Sequence, residues 1–258
     1  HMFCSEQRDE AFAIAREPLN KYLRSLVDAG YEVFAICPRG KSVDVIQRTG
    51  ATFIDWPLSR SSFNPITELK SVIALWNIYR KIKPDLVHHF TLKPNLYGAL
   101  AARLVGISTI LSSINGLGYV FIEKGLKAIF IRQSISMLYR LAFAMSKQVI
   151  FQNTDDASLL VDRGIVNSKK IKITSGGAGI DTSYFDPHLT SESMLENLRI
   201  SLDLRAQTKI VLTVSRMLVH KGISELVCCA RELTKRRDVY FLLVGSTDPG
   251  NPASIDHN

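Results

Sequence analysis

Cysteine is scarce: the chain holds Cys4, Cys37, Cys228 and Cys229, with no C-x-x-C spacing among them. That excludes a disulfide-stapled secreted domain, and the thiols read as reduced in a cytoplasmic protein. No apolar run of about 18 residues exists and no secretory signal is read, so no membrane-spanning helix is expected. No D-x-D triplet occurs, and no metal site or cofactor is expected. Acidic residues are outnumbered, 24 against 32 Lys and Arg, leaving a net charge of +8. Such a balance points to anionic partners. The basic residues lack the aromatic interleaving of an RNA binder and match no DNA-binding motif, which excludes nucleic acid as the partner.

What is present is ordinary for a globular chain. Hydrophobic residues make up 46% of its 258 residues and charged ones 22%, enough for one large or two modest cored domains. His1-Met2 reads as a cloning scar, and residues 3–11 are too polar for a buried strand. From Pro18 the pattern alternates. Leu19, Tyr22, Leu23, Leu26 and Val27 repeat at helical spacing, and Gly30 fits the C-terminal cap. Strands are predicted at 31–37, 51–56, 86–89, 109–114, 148–153 and 171–174. Helices are predicted at 43–48, 65–82, 95–104, 126–146 and from Thr154, taken as the cap of its helix. Asn64-Pro65 is a strong helix start, and Leu69, Val72, Ile73 and Trp76 are the expected apolar stripe of that helix. This alternation predicts an α/β fold, a doubly wound parallel sheet covered on both faces. Domain boundaries are expected at 1–186, a linker at 187–206 with a helix at 190–204, and the start of a second domain at 207–258.

The helix at 126–146 differs in character. Between Lys124 and Lys147 there is no acidic residue, while Lys124, Lys127, Arg132, Arg140 and Lys147 are cationic. Two readings stand: a core helix with a solvated basic edge, or a helix resting on an anionic membrane surface.

The most informative stretch is Lys209 to Gly222, Lys-Ile-Val-Leu-Thr-Val-Ser-Arg-Met-Leu-Val-His-Lys-Gly. Ile210 to Val214 reads as a buried strand, and a helix is expected from Gly222 to Lys235. Arg216 and Lys221 then flank a helix N-terminus, whose free N–H groups and positive dipole end favour a diphosphate. No Gly-x-Gly follows this strand, so a dinucleotide is not expected. In the first half, His88, Thr91, Lys93 and Asn115 to Gly118 fall just beyond strands, where open α/β sheets bind ligands. His89 alternates to the other face and is the weaker histidine. Asp155 and Asp156 are explained by capping.

The 209–222 stretch resembles the "strand, S/G-R-x(4)-K-G, helix" motif of family 4 glycosyltransferases, enzymes of the two-domain GT-B fold. Asp85-Leu-Val-His-His-Phe-Thr-Leu-Lys-Pro-Asn-Leu-Tyr-Gly98, Asn115-Gly-Leu-Gly-Tyr-Val-Phe121, Val149-Ile-Phe-Gln-Asn-Thr-Asp-Asp156 and Leu242-Leu-Val-Gly245 are similar to the same subgroup in the same order. That subgroup builds lipid-linked oligosaccharides. The resemblance covers about residues 12 to 255 and implies transfer of a hexose or N-acetylhexosamine from a UDP-sugar. The acceptor would be a polyprenyl-diphosphate-linked sugar at the cytoplasmic face of the inner membrane, with the anomeric configuration retained. It implies donor-diphosphate contacts from Arg216, Lys221, Gly222 and Gly245, and acceptor contacts from Thr91, Lys93, Asn95, Gly116 and Gly118. His88 and Asn115 are the implied catalytic positions, although some relatives carry His where Asn115 stands. The family's first strand and its downstream E-x(7)-E motif are not found, so the chain reads as a fragment. An inactive glycolipid- or partner-binding module and a GT-B-fold UDP-sugar epimerase are the alternatives.

Overall fold

The computed structural model describes residues 19–40, 43–59, 64–117, 126–174, 179, 181–205, 207–233, 235–236, 238–247 and 253–255, with 126–128 as backbone alone. The chain divides into two compact units, Ala15–Ile180 and Asp181–Asn258.

In the first unit β1 (Phe34–Cys37) pairs with β2 (Thr52–Asp55). A second sheet runs β3 (Leu86–Phe90), β4 (Thr109–Ile114), β5 (Gln148–Phe151), β6 (Ile171–Ile173) in that order. Every pairing is parallel, as strand–helix alternation dictates, because parallel neighbours need a crossover between them. α1 (residues 19–28) precedes β1, α3 (Pro65–Ile82) joins β2 to β3, and the crossovers between paired strands are α2 (Val43–Gln47), α4 (Leu92–Val105), α5 (Leu126–Met145) and α6 (Thr154–Asp162). Among the described residues the expected single sheet is thus present as two parallel sheets.

Local chemistry sets the helix ends. Asn64 accepts from the Ile66 N–H and Pro65 occupies the first turn of α3, a cap that contributes about 1 kcal/mol. Asn153, not Thr154, caps α6: its side chain accepts from the Asp156 N–H at 2.7 Å. α4 begins three residues before the predicted Asn95, with Pro94 in its first turn, a position where its missing N–H costs nothing.

The buried line of α3 is Ser71, Leu75 and Tyr79, and the expected stripe is displaced from it: Leu69 and Ile73 are exposed. A serine lies in that line because its polar groups are paired. Ser71 Oγ donates to the Pro57 carbonyl at 2.6 Å, and its own carbonyl accepts from Trp56 Nε1 at 2.8 Å. Ala99, Ala101 and Ala102 of α4 are wholly buried in the same core, with Trp56, Leu75, Val87 and Ile110. A second core joins Ile114, Tyr139, Phe143, Val149, Phe151 and Leu160.

α5 also turns a different face inward than its composition suggests. Ser136, Tyr139, Ala142, Phe143 and Ser146 are buried, while Phe130 is 75%, Met137 62% and Leu141 50% exposed. One cation of the expected basic edge, Arg140, serves a helix end. Arg140 donates to the Arg163 and Gly164 carbonyls beyond α6. Lys170 and Arg103 donate to the Phe143, Ala144 and Met145 carbonyls that end α5, neutralising its negative dipole end. Lys124 lies outside the described residues, as does the side chain of Lys127.

In the second unit, α7 (Glu192–Ser201) precedes a parallel pair, β7 (Lys209–Val214) and β8 (Val239–Val244), in register over six residues. Between them come a 3-10 turn, Val219–Lys221, and α8, Ile223–Glu232, which is shorter than predicted. Among the described residues of this unit, Met217, Leu218, Ile223 and Ala253 are the buried apolar side chains.

Candidate active site

At the carboxyl end of β3 the chain turns into α4 through Thr91, whose φ of 71° and ψ of 169° place a β-branched residue in the left-handed half of backbone space. Such a conformation costs on the order of 1–3 kcal/mol and collects at functional turns. Thr91 is exposed and makes no side-chain cap to α4. Two residues on, Lys93 Nζ sits 2.9 Å from Glu68 Oε1 of α3 and donates to the Ser59 carbonyl at 2.8 Å. The second Glu68 oxygen accepts from the Tyr97 hydroxyl at 2.5 Å. Desolvation first, then the hydrogen bond and charge of Glu68, push the Tyr97 phenol far above its ordinary range. Lys93 thus lies in a largely buried, charge-balanced cluster that stitches α3 to α4.

His88 is half-buried in the middle of β3, with Nδ1 2.9 Å from the Tyr22 hydroxyl and Nε2 2.7 Å from Ser113 Oγ. Burial lowers its pKa to about 4, so the ring is neutral at physiological pH. His89 points to the opposite face and is fully buried, its Nε2 2.9 Å from the Tyr79 hydroxyl. Its pKa is held at about 3, by burial first and the neighbouring His88 second. α4 passes so close that a Cβ at Gly98 would overlap the His89 ring. His89 is a core histidine. Asn95 is also fully buried; its Nδ2 donates to the Ser113 carbonyl at 3.0 Å, and its Oδ1 has no hydrogen-bond partner among the described residues. It therefore positions β4 against α4 and does not reach the surface that Thr91 reaches.

Asn115 and Gly116 follow β4 directly and are exposed. Gly116 has φ of 141° with open space where a side chain would stand, so the backbone alone requires glycine there. Gly118 lies outside the described residues. Sequence reading missed Tyr22, Ser113, Glu68 and Tyr97. Each meets its partner from a distant segment, and only the strand parity of Ser113 beside His88 carried any signal.

In the second unit Arg216 and Lys221 are both exposed on the β7–α8 connection. Gly222, at φ 75°, ends the 3-10 turn and opens α8, whose first turn has no side-chain cap. The first-turn N–H groups of a helix carry a positive partial charge, and Glu225 also lies in that turn. Gly245 has a packing role: a Cβ there would overlap the Ser215 carbonyl oxygen. This close crossing ties the strand ends together, with the Ser215 N–H donating to the Val244 carbonyl and the Met217 N–H to the Ser246 carbonyl, both at 3.0 Å.

Residues 13–153 match the family described as glycosyl transferase 4-like. The chain is 31% identical over 234 residues, 90% of its length, to the N,N'-diacetylbacillosaminyl-diphospho-undecaprenol alpha-1,3-N-acetylgalactosaminyltransferase of Campylobacter jejuni. It is 22% identical, over 88% of its length, to the UDP-Gal:alpha-D-GlcNAc-diphosphoundecaprenol alpha-1,3-galactosyltransferase of Escherichia coli. The chain spans 60% and 57% of the lengths of those two proteins. In fold it is similar to a glycosyltransferase from Rickettsia africae, with a TM-score of 0.68 at 23% identity, over 89% of this chain and 56% of that one.

Proposed function

The chain belongs to the glycosyl transferase 4-like family, and from that premise we propose that it moves a hexose or N-acetylhexosamine from a UDP-sugar to a polyprenyl-diphosphate-linked sugar. The observation that carries this reading is the 31% identity to a transferase named for a diphospho-undecaprenol acceptor. Thr91, Lys93, Asn115, Gly116 and Gly118 are assigned to the acceptor, with His88 beside them. Arg216, Lys221 and the α8 terminus are assigned to the donor diphosphate, where fixed positive groups stabilise the charge that develops on a leaving group. Lys93 reaches an acceptor diphosphate only by exchanging its Glu68 partner for it.

Two measurements test the assignment. UDP-sugars should raise the melting temperature of the protein, and Arg216→Ala or Lys221→Ala should each weaken the apparent affinity tenfold or more, about 1.4 kcal/mol. Equal shifts in parent and variants would remove the donor site from this loop. UDP release should also persist in chelator, and strict dependence on added magnesium would count against the cation roles.

The acceptor is a membrane lipid in this reading, and we place the protein on the cytoplasmic face of the inner membrane. No helix of the described residues is long and apolar enough to cross a bilayer. The contact is assigned to α5, through the apolar line of Phe130, Met137 and Leu141, which fall within about 40° on the helix, and the net charge of +8 adds attraction to anionic lipid. Phe130→Glu with Leu141→Glu should cut binding to phosphatidylglycerol vesicles at least tenfold in co-sedimentation. Binding that survives this change and vanishes with salt alone would return the contact to the basic edge.

A further inference from the structure

His88 is held through both ring nitrogens by residues from two other elements. Tyr22 comes from α1 and Ser113 from β4, at 2.9 and 2.7 Å. Phe90 closes one side, its ring centroid 4.2 Å from that of His88 and tilted by 36°. Tyr22 meets both rings edge-on, at 5.7 and 6.3 Å. Three aromatic rings thus form one continuous group where β3 runs out.

The proton positions follow from donor strength. A phenol, with a pKa of about 10, is a far better donor than an alkyl hydroxyl, so Tyr22 donates to the lone pair of Nδ1. A neutral imidazole carries one proton, which must then reside on Nε2 and be donated to Ser113 Oγ. Neither nitrogen retains a lone pair for a substrate proton.

We propose that Tyr22 and Ser113 are positioning residues that lock His88 in the Nε2–H tautomer, so that with Phe90 it presents a fixed neutral surface to the acceptor sugar. The ring does not act as a general base. The tautomer stands on the two contacts and on donor strength; its purpose rests on the transferase reading, since the C–H faces of a pyranose ring pack well on aromatic surfaces. Fixing the group beforehand lowers the entropy that binding must otherwise overcome.

The test separates the two parts. In the chain labelled with nitrogen-15 histidine, His88 should show a protonated Nε2 and an unprotonated Nδ1, unchanged between about pH 6 and 8. Tyr22→Phe and Ser113→Ala should each bring averaged shifts of two exchanging tautomers. A proton on Nδ1 in the parent, or variants that keep the parent pattern, would overturn the lock. As the acceptor probe, N-acetylglucosamine linked through diphosphate to farnesol should shift the His88 and Phe90 ring resonances. Tyr22→Phe should weaken its binding about fivefold. A locked tautomer together with a probe that leaves these rings unmoved would overturn acceptor recognition and keep the lock. A hundredfold loss of kcat in His88→Gln at unchanged KM, in the transferase assay, would restore the base and overturn the proposal.

Discussion

Acidification from pH 7.5 to 5 removes roughly 4 kcal/mol of unfolding free energy from the unit containing the two adjacent histidines. Both fold with depressed pKa values, about 4 for His88 and about 3 for His89. Burial is the main cause for each, because an imidazolium in a poorly hydrated site loses its solvation. The unfolded chain takes up these protons near pH 6.5, and the folded one does not until pH approaches 4 and 3. The stabilising contribution is therefore complete above pH 6.5 and declines as pH falls below it. Each group loses about 1.4 kcal/mol per pH unit in that window, or about 2 kcal/mol each by pH 5. Urea titrations at the two pH values measure this directly. His89→Gln, which keeps a partner for the Tyr79 hydroxyl, should roughly halve the slope. A stability that stays flat across this range would mean that water reaches both rings in the folded protein. The same reasoning separates fold from chemistry: transfer measured between pH 6 and 8 should show no limb from either histidine.

Those pKa values illustrate what a linear sequence can and cannot carry. The parity of β3 already sends His88 and His89 to opposite faces, and their order relative to α4 placed one near the ligand end of the sheet. The tight pass of Gly98 across His89 could not be read, because nothing in the segment reveals which helix lies over which strand. Turn chemistry was legible where it is local. Asn64-Pro65 started α3 as written, β4 occupied its predicted residues, and the Arg216 and Lys221 loop fell between a strand and a helix. Faces were harder. The apolar stripe of α3 was drawn by hydrophobicity, yet Ser71 lies in the buried line because Pro57 and Trp56 satisfy it. On α5 the cations suggested the outward face, but helix carbonyls claimed Arg140, and Phe130, Met137 and Leu141 are exposed as well. Periodicity reports that a helix has two faces; tertiary hydrogen bonds decide which of them is covered. Lys93 makes the same point for the site itself, since its partner Glu68 comes from a different helix.

Gly245→Ala should disrupt the second unit more than any single loss of a charged side chain there. The glycine has φ of 157°, and a Cβ would overlap the backbone oxygen of Ser215 while also lying 3.2 Å from Met217 Cε. A methionine side chain can move; the Ser215 carbonyl is less free, because that residue's N–H already donates to the Val244 carbonyl at 3.0 Å. Relief must come from separating the ends of β7 and β8, which breaks the Ser215 and Met217 hydrogen bonds together. Overpacking against backbone plus an L-residue in this region of φ sums to about 3–5 kcal/mol. Gly116→Ala is the fitting contrast, since φ there is 141° and the space is open, so only the backbone term of about 1–2 kcal/mol applies. Hydrogen exchange across β7 and β8 should accelerate strongly in Gly245→Ala and stay unchanged in Gly116→Ala. UDP-sugar stabilisation should vanish with it, although Gly245 need not touch the nucleotide, because the Arg216 loop begins at the residue that is displaced. If exchange in β7 and β8 stays slow while nucleotide binding is lost, Gly245 acts by direct approach to the diphosphate and the packing account of it fails.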